Sequence, residues 1–248
     1  MCARAGARIL SAMPLPGSAP SAGALVAAVA VMLGAGVAEA VAAQDGSERV
    51  SDSTTWAYVD EPAVVRRAPF AISRAVGRLQ RKTFLGSPDT VVELGRQGTW
   101  VRVRYAGTGR RTGWVPADAL SPAGATTARL VIDRRRLRLT LFVRGRPVRS
   151  LPIGIGAPGS PTPAGTYYVR EKVIPIRPGG TYGPVAFGLS GFSTRRTDWP
   201  GGGQIGIHGT DRPDLLPGRV SNGCVRLANA AITSLALRLS VGTPVLVR

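Results

Sequence analysis

Short stretches in which apolar and polar residues alternate recur along the chain from about residue 90. Such alternation places successive side chains on opposite faces and predicts half-buried β-strands. Glycine and proline are dense between residues 154 and 203, which disfavours long helices. We therefore predict a mainly β fold. The strands are expected at residues 90–94 (TVVEL), 100–105 (WVRVRY), 113–115 (GWV), 137–143 (LRLTLFV), 151–156 (LPIGIG) and 165–169 (GTYYV).

One short helix is predicted near the C-terminus. Asn229 is the expected cap, Gly242 is expected to stop the helix, and residues 244–247 (PVLV) are expected to form a closing strand. The apolar stripe that defines the helix consists of Ile232, Leu235, Ala236 and Leu239.

Residues 1–43 have the pattern of a secretory signal peptide. Arg4 and Arg8 precede an apolar run at residues 24–38, which leads into an A-x-A cleavage pattern at residues 38–40. The run is short for a spanning helix, which needs about 20 apolar residues. We expect export to the cell envelope, in the periplasm or cell wall, with an uncleaved membrane anchor as the alternative.

Two polar segments divide the rest of the chain. Residues 44–55 and 121–125 are predicted to be linkers. They bound a first domain at residues 56–121 and a second at 127–248. The short, closely spaced strands of the first domain favour a small barrel.

The net charge of +18 bounds the choice of partners. Such a surplus favours polyanions, and anionic cell-wall polymers suit an exported protein. General solubility is the other explanation for the charge. We predict no nucleic-acid partner, because the arginines are dispersed and neither a recognition helix nor an aromatic platform is apparent.

Cys224 is the main candidate for chemistry. The chain has two cysteines and one histidine, His208, and Cys2 lies in the predicted leader. A thiol without a disulfide partner in an exported protein is a candidate nucleophile, and a nearby imidazole can remove its proton. The alternatives are a cysteine that serves as a small buried hydrophobe and a structural histidine.

The first domain contains three characteristic segments, residues 65–69 (VRRAP), 98–103 (GTWVRV) and 112–116 (TGWVP). By these segments, residues 56–121 resemble a bacterial SH3-like domain. Such a domain implies an accessory role in binding cell-wall peptides or glycans. A spacer with Trp100 and Trp114 in its core is the alternative.

The second domain contains a series of short blocks at residues 154–159 (GIGAPG), 161–166 (PTPAGT), 183–184 (GP), 188–190 (GLS), 207–210 (IHGT), 221–227 (SNGCVRL) and 242–245 (GTPV). By these blocks and their order, the domain resembles the YkuD-type L,D-transpeptidase catalytic domain. The resemblance implies a β-sandwich-like fold and a cysteine acyl-enzyme that cross-links peptidoglycan stem peptides, with no metal or organic cofactor.

Carried over by position, Cys224 is the nucleophile and His208 its base. Many family members have histidine where this chain has Asn222, so a second imidazole is absent and His208 must act alone. The N–H groups of Gly223 and Cys224 are the expected oxyanion donors. The catalytic residues predicted are Cys224, His208, Arg226, Gly223 and Gly209, and those predicted to contact substrate are Asn222, Ser221 and Tyr182.

Two other functions stay open. Water in place of the acceptor amine would make the protein an L,D-carboxypeptidase or another cysteine hydrolase of the wall. A catalytically silent wall-binding protein is the second. A papain-like enzyme is disfavoured because His208 precedes Cys224 in the chain.

Overall fold

The computed structural model describes residues 53–193, 195 and 202–248, and the predicted leader lies outside these ranges. They form a seven-stranded sheet, a ten-stranded sheet and an eight-residue α-helix, which confirms the mainly β prediction. No helix within the described ranges is long and apolar enough to cross a membrane.

The N-terminal sheet is antiparallel throughout, in the order β3-β2-β6-β5-β4-β1-β7. Alternation along its strands separates two faces, and Val101, Val103 and Val115 are fully buried on the core side. Its strands are β1 (Thr54–Tyr58), β2 (Ala63–Arg66), β3 (Ala75–Leu79), β4 (Thr90–Gln97), β5 (Trp100–Tyr105), β6 (Arg111–Pro116) and β7 (Gly124–Thr126).

Both predicted linkers contribute strands to this sheet, so the linker prediction was wrong for those residues. Thr54 and Thr55 pair with Thr126 and Ala125. A polar segment that pairs with residues about 70 positions away shows no local sign of its partner, because β-structure depends on cross-strand context. Thr127 alone separates the N-terminal sheet from the next strand.

The C-terminal sheet combines antiparallel pairs with three parallel ones, β17 with β8, β14 with β16 and β11 with β15. Its order is β10-β9-β8-β17-β12-β13-β14-β16-β11-β15. The strands are β8 (Ala128–Asp133), β9 (Arg138–Val143), β10 (Arg146–Pro152), β11 (Gly154–Gly156), β12 (Gly165–Val173), β13 (Ala186–Phe192), β14 (Gln204–His208), β15 (Gly218–Ser221), β16 (Val225–Arg226) and β17 (Pro244–Val247).

The helix α1 (Asn229–Ala236) packs its predicted apolar stripe into the core of this sheet. Its N-cap is Ala228 rather than Asn229. Gly242 lies beyond the end of the helix and does not stop it. A Cβ at Gly242 would collide with the ring of Trp56, so this glycine allows close packing against β1.

Buried polar contacts join the two sheets along β12. Arg170 donates from Nε and Nη2 to the two carboxylate oxygens of Asp89, each at 2.6 Å. The Tyr168 hydroxyl donates to the Thr90 carbonyl at 2.8 Å, and Gly107 N–H donates to the Ser190 carbonyl at 3.0 Å. All described residues therefore belong to one compact unit.

Candidate active site

Two parallel strands bring the predicted nucleophile and base together. Ile207 on β14 pairs with Val225 on β16, and His208 pairs with Arg226. Cys224 precedes Val225 and so lies level with Gly206. Alternate residues of a strand share a face of the sheet. The side chains of Cys224 and His208 therefore project from the same face, with Gly206 between them.

Gly206 leaves open the space between the thiol and the imidazole. A Cβ built on Gly206 would lie 3.8 Å from Cys224 Sγ and 3.9 Å from His208 Cδ2. The Gly206 N–H donates to Cys224 Sγ, with an N···S distance of 3.4 Å. The glycine thus supplies clearance and also a donor to the sulfur, and sequence reasoning did not assign it either role.

The backbone fixes the tautomer of His208. Nδ1 lies 2.6 Å from the Gly209 carbonyl oxygen. Because a carbonyl only accepts, Nδ1 carries the hydrogen and Nε2 is left as the basic nitrogen. Gly209, one of the predicted site residues, therefore contacts His208 through its backbone. A side chain at Gly209 would collide with the amide oxygen of Asn229.

Burial keeps both reacting groups uncharged at neutral pH. His208 is 3% exposed, and desolvation lowers its pKa to about 4, with a further lowering from Arg226 that the Gly209 carbonyl and Asp211 oppose. Burial likewise raises the pKa of the Cys224 thiol, which the Gly206 N–H and Arg226 partly offset. The resting site is a neutral thiol beside a neutral imidazole.

A tight turn holds Cys224. The Ser221 hydroxyl donates to the Cys224 carbonyl at 2.6 Å and accepts the Gly223 N–H at 3.1 Å. The φ of Gly223 is +115°, a conformation that favours glycine. The Gly223 N–H is thus engaged by Ser221, contrary to its predicted role as an oxyanion donor. The Cys224 N–H has no acceptor among the described residues and is the better candidate.

Three residues that sequence reasoning missed position this turn and the histidine loop. Thr162 is 1% exposed. Its hydroxyl accepts the Gly156 N–H at 2.9 Å and donates to the Gly223 carbonyl at 2.8 Å. The Ser160 hydroxyl donates to the Asn222 carbonyl at 3.0 Å.

The loop after His208 is held by Asn229, whose Oδ1 accepts the Thr210 N–H at 2.8 Å. Only the PTP segment around Thr162 carried a sequence signal, through the family-like block.

The site opens into a cleft of about 580 Å³ that is continuous with solvent. The Tyr182 ring meets the His208 ring edge-on, with centroids 5.0 Å apart. Nε of Arg226 is buried and has no hydrogen-bond partner. Of the predicted residues, all but Gly209 line the cleft. The full lining is Thr181, Tyr182, Ser193, Gly203, Gln204, Ile205, His208, Ser221, Asn222, Gly223, Cys224 and Arg226.

Over residues 53–193, 195 and 202–248, no group of three or more acidic, histidine or cysteine side chains could hold a metal ion.

Comparison with known proteins identifies the segment that carries this site. Residues 127–247 match the YkuD family, described as the L,D-transpeptidase catalytic domain. The match lies within the predicted second domain at residues 127–248, and the matched residues contain the whole cleft lining.

Two curated relatives match part of the same region. YkuD of Bacillus subtilis (strain 168) is 32% identical over 107 residues, which cover 43% of this chain and 57% of the relative. YkuD of Bacillus licheniformis is 30% identical over 117 residues, which cover 47% of this chain and 63% of the relative. The chain thus spans about 60% of the length of these relatives.

Solved structures also resemble the chain. One is an L,D-transpeptidase from Mycobacterium smegmatis, which is 14% identical with a TM-score of 0.41 and matches over 77% of this chain and 99% of that chain.

Proposed function

We propose that this protein, whose residues 127–247 match the L,D-transpeptidase catalytic domain, cross-links peptidoglycan stem peptides through a thioester on Cys224. One observation carries the proposal. The Cys224 thiol and the His208 imidazole flank Gly206 on one sheet face, in an open cleft, with Nδ1 of His208 held by the Gly209 carbonyl.

The first half-reaction is acylation. His208 Nε2 takes the thiol proton as sulfur attacks the carbonyl between the L-centre of a diamino acid and the terminal D-residue. Because both groups start neutral, proton transfer accompanies attack. The Cys224 N–H, which has no acceptor among the described residues, is the proposed donor to the developing oxyanion. His208 then returns the proton to the leaving amine, and the terminal D-amino acid departs.

The second half-reaction is transfer. A side-chain amine of a neighbouring stem attacks the thioester and gives a proton to His208. The thiol leaves, recovers that proton, and an L,D cross-link is released. Water in place of the amine would release a tripeptide instead, which is the carboxypeptidase alternative.

Arg226 and Tyr182 are proposed to bind substrate. The buried Nε of Arg226 lacks a partner, and a guanidinium suits a carboxylate such as that of the departing D-residue. Tyr182 covers one side of the His208 ring and narrows the cleft there. Asn222 is exposed, which leaves its side chain accessible to a stem peptide.

The direct test is a mass assay with the mature protein and tetrapeptide stems. We expect stem dimers and free D-amino acid. Tripeptides alone would mean hydrolysis, and no reaction would leave the wall-binding alternative.

The variant Cys224→Ala tests the nucleophile. It should form no dimer, and full activity in this variant would contradict the proposed role of Cys224. A carbapenem should add its mass to the wild type and not to Cys224→Ala.

For the N-terminal sheet, we propose an SH3-like, wall-binding role in an exported protein. The support is the sequence resemblance, the leader pattern and the placement of Trp100 and Trp114. Both tryptophans are half-buried on the outer face of β5 and β6, where Trp114 pairs with Arg102. If the role is correct, mature protein should co-sediment with purified cell walls, and Trp100→Ala should release most of it.

A further inference from the structure

A buried carboxylate lies on the same sheet face as the candidate nucleophile. Glu171 on β12 pairs with Gly188 on β13, and Gly188 pairs with Gly206 on β14. Paired residues project to the same face of a sheet. Glu171, Gly188, Gly206 and Cys224 therefore form one row across the sheet. The two inner residues are glycines, so no side chain of this row lies between Glu171 and Cys224. Glu171 is 1% exposed, and the reaction steps above do not use it.

Gln204 connects this carboxylate to the cleft. Its Nε2 donates to Glu171 Oε1 and to the Leu189 carbonyl, each at 3.0 Å. Two acceptors at this end fix the amide orientation, because the reversed amide would face two oxygens with its own oxygen. A Cβ at Gly188 would lie 2.6 Å from Nε2 and 2.8 Å from Glu171 Cγ, so only glycine permits this arrangement.

The N-terminal segment completes the support. The buried Thr83 hydroxyl donates to Glu171 Oε2 at 2.6 Å. Both carboxylate oxygens are thus engaged by neutral donors. At Glu171, this face of the C-terminal sheet is covered by the segment around Thr83. At the other end of the row the face is open to the cleft, which Gln204 and Cys224 both line. Oε1 of Gln204 accepts no hydrogen bond from any residue that the structure describes.

The position of Gln204 relates it to one half of the substrate. Gln204 and His208 lie two residues on either side of Gly206, with their Cα atoms about 13 Å apart along the strand. His208 exchanges protons with the leaving and attacking amines, so those groups occupy its side of the sulfur. The acyl half of the donor, which stays in the thioester, then extends toward Gln204.

We propose that Gln204 determines which acyl donor is used, and that its carboxamide oxygen accepts a hydrogen bond from the side-chain ammonium of the donor's diamino acid. Glu171 orients the amide and adds a negative potential behind it, which favours a cationic group. Glu171 is a positioning residue in this scheme. The inference rests on the proposed function and adds a donor-selecting residue to it.

The test compares two tetrapeptide donors that differ at one atom group. The third residue carries a side-chain amine in one donor and a methyl group in its place in the other. Release of the terminal D-residue is followed with mature protein. The same amine acceptor is supplied in excess to both donors, because the methyl donor carries no acceptor amine of its own. We expect kcat/KM to be about tenfold or more higher for the amine, since a hydrogen bond to a charged group is lost without it.

Variants locate the effect. Gln204→Leu should abolish the preference by lowering kcat/KM for the amine donor, and Glu171→Gln should reduce it. Thr83→Val is the matched control, because it removes the other contact of Glu171 and leaves Gln204 in place, so the preference should persist. Thermal unfolding of all three variants, compared with that of the wild type, reports whether each one folds correctly.

The two hypotheses fail in different ways. Equal use of both donors by the wild type, with carbapenem acylation intact, would overturn the role of Gln204 alone. A preference that persists in Gln204→Leu would do the same. If the wild type releases no D-residue from either donor and forms no carbapenem adduct, the proposed function itself fails.

Discussion

At the scale of residues, the local backbone sets the chemistry of Cys224. The Gly209 carbonyl orients the imidazole and the Gly206 N–H contacts the sulfur. Burial then acts on both groups in opposite directions, lowering the pKa of His208 to about 4 and raising that of the thiol. The pair is therefore suited to general-base catalysis rather than to a preformed thiolate–imidazolium pair.

This charge state predicts a distinctive pH dependence of alkylation. Below the raised thiol pKa, the thiolate fraction increases about tenfold per pH unit. The rate of Cys224 alkylation by iodoacetamide should therefore keep rising from pH 5 through pH 9. Stopped-flow or mass measurement of the adduct on mature protein gives this profile, with Cys224→Ala as the control for other sites.

A preformed ion pair would instead give a plateau in alkylation at mildly acidic pH, and that result would contradict the assignment. Transfer activity has a separate limit. His208 must be neutral to accept the proton, so activity should fall only as the pH approaches about 4.

The sequence revealed the chemical groups of the site better than their supports. Cys224 and His208 stand out because the sequence has one cysteine beyond the predicted leader and one histidine. The role of Thr162 depends on hydrogen bonds to Gly156 and to Gly223, 61 positions away, which no local pattern indicates. The Gly223 N–H was assigned to the oxyanion because the Ser221 hydroxyl that accepts it could not be foreseen.

At the scale of elements, the site is built from strand ends joined by a supported turn. β14 and β16 supply the register, and the turn at residues 221–224 is braced from the segment before β12. Alternating patterns predicted β5, β6 and β9 well, because each has one buried face. They missed β7, whose three residues are not fully buried and pair with distant β1.

Replacing Thr162 tests the brace on this turn. Thr162→Val keeps the shape and removes the hydroxyl, which leaves the Gly156 N–H and the Gly223 carbonyl without a partner. Loss of these buried contacts should lower the free energy of unfolding by about 2 kcal/mol or more. Carbapenem acylation should also slow, because the turn that presents the thiol loosens.

Chemical denaturation and acylation kinetics measure the two effects. Thr166→Val is the matched control, since Thr166 is exposed on β12, and its free energy of unfolding should change by no more than about 0.5 kcal/mol. Equal stability of Thr162→Val and wild type would remove the proposed brace.

At the scale of the whole molecule, the two sheets are joined by polar contacts that are mostly buried. Arg170 and Asp89 form a two-bonded ion pair whose side chains are 13% and 8% exposed. The hydroxyls of Tyr168 and Thr83 add contacts on either side of it along β12. The sequence indicated two parts but gave no sign of this interface, because each partner is an ordinary polar residue of a strand or loop.

Breaking the ion pair should be costly. Asp89→Ala leaves the guanidinium of Arg170 buried and unpaired, and the free energy of unfolding should fall by about 3–5 kcal/mol. Asp214→Ala is the control, because Asp214 pairs with Arg212 on the exposed surface, and its loss should have no measurable effect. Thermal unfolding of the two variants side by side distinguishes them. A similar melting temperature for both would mean that the interface does not depend on this pair.

The single residue between β7 and β8 has a geometric consequence. Thr127 alone connects the two sheets, and Arg170 and Tyr168 also bind the N-terminal sheet through hydrogen bonds. The two sheets are therefore not free to rotate relative to one another. A ligand bound at Trp100 and Trp114 would therefore be held at a fixed distance from Cys224 Sγ. On a polymer that occupies both places, the spacing between the bound segment and the reacting segment would be set by the rigid protein and not by a flexible linker.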